Sequence, residues 1–463
     1  MKGKRINRRQ FLTKAAGIAV GAVSFPYIVP STVLGKAGGV APSNQIALGC
    51  IGMGGQGTYD MNDFLRHPDV QVVAVCDVNK ESNDYDMLYQ FQGNTAGREP
   101  ARRMVEKYYA QQRTTGSYKG CAVYGNFREL LDRDDINTVL IALPDHWHAI
   151  AGVTAVRAGK DVYAEKPLAY TIAEGRAICD AVKRYGGVWQ TGSQQRSDAR
   201  FRRACELVRN GRIGKVHSVY VGLPCGSTIS SINGKLTKPS SVPDGFDYDM
   251  WLGPAPSAPY CPGRCHWHWR WISDYSGGQI TDWAGHNCDI AHWGMGTEYS
   301  APVEIEGVGD IPKDIDGLYD TAERYRFVCK YAEGFTMVVS DTEQHPTKER
   351  GILFEGTEGW VLVNRDKLDA HPKTLLNSVI GPNEIHLYKS DDQIGNFIDC
   401  VKTRSQTVAP AEVAHHSIMV GHLGIIAMKT GRKLFWDHGK ERFINDSEAD
   451  RLLSRPMRSP WHL

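Results

Sequence analysis

Short apolar runs alternate with glycine-rich turns and helical patterns through the first part of the chain. Gln45 to Ile51 reads as a short strand and runs directly into Gly52-Met53-Gly54-Gly55-Gln56-Gly57. Tyr59, Met61, Phe64 and Leu65 then recur at helical spacing, and Val70 to Cys76 is a second strand-like run closed by Asp77. An insertion carries its own helical pattern near Ala101 to Gln111. Asn126 is placed to cap a short helix, Phe127 to Leu131, and Thr138 to Leu143 is wholly apolar, as in strands buried on both faces of a parallel sheet. A helix to Arg157, a strand Asp161 to Ala164 and a strand Val188 to Thr191 continue the alternation, which predicts an α/β fold with a parallel sheet. After residue 215 the pattern changes: strand-like runs recur at Val216 to Val221, Arg324 to Lys330, Phe335 to Ser340, Gly351 to Phe354 and Trp360 to Val363.

Composition changes this picture in one place. Of 463 residues, 41% are hydrophobic and 23% charged, which excludes a disordered or fibrous chain. The formal balance of 54 basic against 52 acidic groups is too even to suggest nucleic acid as a partner. Residues 1–36, however, hold seven basic groups and no acid, leaving 47 basic against 52 acidic in the remainder. Arg8-Arg9 stands just before Phe11-Leu12, and a weakly apolar run follows from Ala15 to Phe25. This resembles a twin-arginine export signal over residues 1–38, and it is short for a membrane span. The expectation is a periplasmic protein, exported folded, with no membrane contact once the signal is removed.

The first strand, glycine loop, helix, second strand and acid fall in the order of a dinucleotide-binding unit. Gly52 permits the tight turn, Gly54 admits a pyrophosphate to the backbone, and Gly57 lets helix approach strand. Met53, Gly55 and Gln56 complete the loop. Asp77 is placed to accept from both ribose hydroxyls, which favours NAD and disfavours the 2′-phosphate of NADP. Pro144 and His148 follow the fourth strand, and Glu165-Lys166-Pro167 the fifth, at the sheet edge where ligands bind. The eleven cysteines imply no full disulfide framework, and Cys50 and Cys76 read as buried hydrophobes. Cys261, Cys265, His266 and His268 put four soft ligands in eight residues, but not at a standard zinc spacing; no metal is expected.

The glycine loop, Pro144-x-x-x-His148, Glu165-Lys166-Pro167 and Gly277-Gly278 followed by Asp282-x-x-x-His286 together resemble the Gfo/Idh/MocA oxidoreductases. The stretch Gly431 to Asp437, with Asn445-Asp446 and Trp461, is similar to a branch rich in exported bacterial members. The resemblance implies a Rossmann domain over residues 44–167 and, over 168–463, an α+β substrate and oligomerisation domain with a large open, mostly antiparallel sheet. It implies oxidation of a secondary alcohol of a sugar, glycoside or cyclitol, and a homo-oligomer, dimer or tetramer. Lys166, Asp282 and His286 match the family's catalytic positions: His286 as base, Asp282 orienting it or holding a hydroxyl, and Lys166 polarising the developing carbonyl, with the Lys166 and His286 roles open to exchange. Asp289 and His292 offer a competing pair farther along the same helix. Substrate contacts are expected at Arg196, His266, Trp269 and Trp271, the last three in an aromatic run that is equally consistent with a buried cluster.

Export weighs on mechanism. Outside the cytoplasm no pool of free NAD exists, so the cofactor is expected to be tightly held and recycled in place. Two routes satisfy this: oxidising one sugar while reducing another, or a redox-neutral glycoside cleavage through transient C3 oxidation, elimination and re-reduction. Family members of the second kind usually depart from Glu-Lys-Pro, which this chain keeps.

Overall fold

The computed structural model describes residues 45–85, 95–226, 236–310 and 317–463, and the export segment lies outside them. A six-stranded parallel sheet has the order β3-β2-β1-β4-β5-β6. Its strands are β1 (Ile46–Ile51), β2 (Val70–Cys76), β3 (Ala122–Tyr124), β4 (Thr138–Ile141), β5 (Asp161–Ala164) and β6 (Trp189–Thr191). The order reverses between β1 and β4, the switch point at which such sheets open a ligand crevice at the strands' carboxyl ends. Helices α1 (Gly55–Leu65), α2 (Arg98–Gln111), α3 (Phe127–Leu131), α4 (Asp145–Arg157) and α5 (Ile172–Tyr185) connect the strands. The Asn126 side chain does cap α3, accepting from the Arg128 amide at 3.0 Å. Because β6 belongs to this sheet, the Rossmann unit runs past residue 167.

Helix α6 (Ala199–Arg209) leads into a nine-stranded sheet of order β13-β12-β11-β7-β10-β9-β8-β14-β15. Its members are β7 (Val216–Leu223), β8 (Glu304–Asp310), β9 (Arg324–Lys330), β10 (Thr336–Asp341), β11 (Gly351–Gly356), β12 (Gly359–Val363), β13 (Leu368–His371), β14 (Leu434–Asp437) and β15 (Arg442–Phe443). All pairings are antiparallel except β7 with β10. Between β7 and β8 the chain forms the short α7 (Tyr248–Leu252) and the long α8 (Gly278–Met295); α9 (Gln393–Thr403) and α10 (Ala411–Thr430) follow β13.

Helix α8 packs against α10, α6 and β7, and most of its residues are buried. Its mean hydropathy is carried all round rather than on one stripe, as suits a helix enclosed by sheet and helices. Ile394, Phe397 and Ile398 of α9 return to the first sheet, where Phe397 meets Phe64 and Tyr163 edge-on at 6.1 and 5.7 Å. The two sheets are thus stitched together by segments distant in sequence.

Candidate active site

The glycine loop is built by close backbone approach. Gly52 has φ +89°, and a Cβ there would lie 2.3 Å from the Ala142 carbonyl oxygen. At Gly57 a Cβ would fall 1.8 Å from the Gly52 oxygen, so any side chain pushes α1 off the loop. Asp77 closes the loop from below: its carboxylate accepts from the amides of Met53 at 2.6 Å and Asn79 at 2.7 Å. Burial raises the Asp77 carboxyl to about 6, against the opposing pull of those amides and of Arg98. Gly52, Gly54, Gly55, Gln56 and Asp77 line one cleft with Pro144, Glu165, Lys166, Arg270 and Asp282. A dinucleotide fits this arrangement. The bare Cα of Gly54 opens the loop, the Gly55, Gln56 and Gly57 amides begin a helix, and an acid ends β2.

At the other end of the cleft, Lys166 Nζ donates to Asp282 Oδ1 at 2.8 Å and to the Asp282 carbonyl at 3.1 Å. Arg270 Nε reaches the same carboxylate oxygen at 3.2 Å. Burial pushes the Asp282 carboxyl up, but Lys166 and Arg270 outweigh it and hold Asp282 below the usual carboxylate range. One turn on, His286 is 5% exposed and its Nδ1 has no partner among the described residues. Burial, then the charges of Lys166 and Arg365, hold its pKa well below 6.5, so the imidazole is neutral at neutral pH. A neutral buried imidazole with a free ring nitrogen is a base in search of a proton. Asp145, which accepts from Ser276 Oγ at 2.6 Å, is raised by burial to about 7 and also faces the cleft.

A family model described as "Oxidoreductase family, C-terminal alpha/beta domain" of the Gfo/Idh/MocA group matches residues 199–463, and one described as "Oxidoreductase family, NAD-binding Rossmann fold" matches residues 94–193. The chain belongs to the Gfo/Idh/MocA oxidoreductase family.

Among its Gfo/Idh/MocA relatives, an α-N-acetylgalactosaminidase of Shewanella oneidensis is 30% identical over 193 residues, 39% of this chain and 37% of that protein. A "glycosyl hydrolase family 109 protein 1" of a Shewanella species matches to the same extent. The chain thus spans little more than a third of the curated relatives it matches. Among solved structures, the Bordetella pertussis WlbA dehydrogenase, in complex with NADH and UDP-GlcNAcA, superposes with a TM-score of 0.57 at 16% identity, covering 85% of this chain and 99% of that one. Levoglucosan dehydrogenase, in complex with NADH and L-sorbose, gives 0.56 at 18%, covering 85% and 99%.

The remaining expected residues divide sharply. His148 does not face the cleft: its Nδ1 is 2.5 Å from the Pro167 oxygen and its Nε2 2.7 Å from the Leu143 oxygen, so it ties the ends of β4 and β5 together from behind. Glu165, raised by burial against the pull of Lys166 and Gln194, receives the Gln194 amide at 2.8 Å. Arg196 is no substrate contact. It is 3% exposed and clamps Asp289 at 2.6 and 2.9 Å, because the loop after β6 turns inward. Trp271 is also excluded, fully buried in a cluster with Trp251, Tyr260 and Tyr275, while His266 and Trp269 from the same run do line the cleft. The Asp282 carboxylate accepts from Lys166 and Arg270. Cys261 and Cys265 are buried free thiols in that aromatic cluster. Among the described residues, three potential metal ligands converge at His415, His416 and Glu441, where Arg176 already donates to Glu441 at 3.2 Å. Arg270, Asp145 and Arg365 are site residues that the sequence reading missed: Asp145 is an unspecified position inside Pro144-x-x-x-His148, Arg270 stands within the aromatic run, and Arg365 comes from a segment without a motif.

Proposed function

We propose that this protein oxidises a secondary alcohol of a sugar or polyol with NAD as the partner. The observation that carries the reading is the pairing of Lys166 with Asp282 at the carboxyl edge of the parallel sheet, in the cleft that holds the glycine loop, with the neutral His286 one turn farther along α8 and its Nδ1 unpartnered among the described residues. Bound NAD supplies the hydride acceptor. His286 accepts the hydroxyl proton, and its low pKa keeps it ready to do so at neutral pH. Lys166, oriented by two contacts to Asp282, donates to the alcohol oxygen as carbonyl character develops there. Arg270 shares the Asp282 charge and keeps that carboxylate ionised. Asp77 selects NAD because a 2′-phosphate would meet a carboxylate.

A second reading is supported by the glycosidase names of the curated relatives: a redox-neutral cleavage using the same residues for transient oxidation. We extend the proposal to address and assembly: an exported, periplasmic homo-oligomer, carried out folded with NAD in place. The test is to purify the mature protein from the periplasm without added cofactor, denature it and quantify released nicotinamide. About one equivalent per chain supports retained cofactor; none, with only weak binding on titration, defeats it. Aglycone release from aryl glycosides without net nicotinamide reduction selects the second reading, and accumulation of reduced nicotinamide with free sugars selects the first.

A further inference from the structure

Beside the reactive set lies a second cavity, of 610 Å³, lined by Gln195, Trp283, Asn287, Arg350 and Arg365 among others. Trp283 follows Asp282 directly, and its ring centre is 5.8 Å from that of His286. The guanidiniums of Arg350 and Arg365 both lie over the Trp283 ring, at 4.9 and 4.8 Å from its centre. The cavity wall carries four basic groups, Lys348, Arg350, Arg365 and Lys367, against two acids, Glu349 and Asp366. Glu349 is taken by Lys367 at 2.9 Å, and Lys348 donates to the Glu343 carbonyl. Arg365 finds only the neutral amide oxygen of Gln195, at 3.1 Å, and among the described residues neither arginine has a carboxylate within ion-pair distance.

Two like charges held on one indole without an intervening acid repel each other, and an anion placed between them relieves that repulsion. The repulsion shows at Arg365, whose pKa is lowered by partial desolvation and then by Arg350, although the residue as a whole is exposed. Planar guanidinium forks match the oxygens of carboxylate and phosphate.

We propose that Arg350 and Arg365, set on Trp283, bind an anionic oxygen group of the substrate, so that this chain acts on acidic sugars, carrying a carboxylate or a phosphate, in preference to neutral ones. The inference rests on the sugar-oxidation reading above. Trp283 touches His286 on one side and carries both arginines, so the proposal places the anion on the sugar that reacts. Gln195 couples the two places: its oxygen accepts from Arg365, and its amide donates to the His286 carbonyl at 3.2 Å.

The NAD-supplemented protein is tested with matched pairs: D-glucuronate, D-galacturonate and D-glucose 6-phosphate against D-glucose and D-galactose. Calorimetry gives binding, and nicotinamide fluorescence gives turnover. The expected result is at least tenfold tighter binding of an acidic member than of its neutral parent, lost in Arg350→Gln and Arg365→Gln, the size expected for charge-assisted hydrogen bonds. Circular dichroism confirms that each variant folds. Uronates preferred over the phosphate identify a carboxylate as the anion, and the reverse identifies a phosphate. Acidic sugars that bind selectively and arginine-dependently while nicotinamide stays oxidised leave the anion site standing and defeat the oxidation reading. Neutral sugars that bind or turn over equally well, or no selective binding of any acidic sugar, overturns the anion site.

Discussion

The two halves of α8 carry nearly the same letters and have opposite characters. Toward its amino terminus, Asp282 meets Lys166 and Arg270 in a cleft, with the buried His286 one turn on. Toward its carboxyl terminus, Asp289 is clamped by both forks of Arg196 and by Ser417 Oγ at 2.8 Å, while His292 Nε2 meets Tyr331 Oη at 2.7 Å; the Nδ1 atoms of His286 and His292 are alike in having no partner among the described residues, so it is the acids that differ. Residue type does not separate an acid that lines a cleft from one locked in the core. The difference lies in what surrounds each: an opening to a cleft in one half, closed core in the other.

The largest effect is expected at Lys166. Lys166→Met should cut kcat/KM roughly thousandfold or more, with nicotinamide binding preserved on titration. Turnover surviving in that variant removes the amino-terminal half as the reactive one. Arg196→Ala should do the reverse, leaving the Asp289 charge buried without its partner and costing about 3–5 kcal/mol in denaturant unfolding. If instead stability holds and activity collapses, the two halves have been assigned the wrong way round. A smaller effect is expected at Asp77→Asn, where loss of the charged acceptor should weaken NAD about tenfold and narrow its advantage over NADP.

The finest test is the pH profile. His286 acts as a base only when neutral, so kcat/KM rises with pH through its pKa and levels above it. Because burial, Lys166 and Arg365 hold that pKa below 6.5, the acid limb should lie below pH 6.5. Arg365→Gln removes a cation, raises the pKa and should move the limb upward. Asp145→Asn, which deletes a group titrating near 7, should leave the limb in place; a limb that disappears with Asp145 belongs to that carboxyl instead.

Much of this architecture was legible because it rests on local patterns. The switch from strand to glycine loop to helix, the all-apolar β4 and the acid at the end of β2 are read from neighbours within a few residues. Asp282 and His286, four apart, and Asp289 and His292, three apart, are both at helical spacing, so the two pairs look alike in sequence and only their surroundings distinguish them. The failures came where burial decides. Arg196 follows a strand end facing the site, yet its side chain turns inward to Asp289. Trp271 sits one residue from Arg270, but the short helical turn His268–Trp271 sends Trp271 into the aromatic cluster and Arg270 to Asp282. Arg350 and Arg365 lie in turns flanking β11 and β12, far from any motif, and only the nine-stranded sheet brings them over Trp283.

Helix α8, enclosed on nearly every side, has a consequence for local stability and for change over time. Its amides should open only with global unfolding, whereas the exposed turns bearing Arg350 and Arg365 should exchange hydrogen readily. On the proposed roles, recognition is mounted on the parts of the molecule that tolerate substitution and proton transfer on the part that does not, so a lineage built on this frame would trade one substrate for another by rewriting two turns while the reaction itself stays fixed.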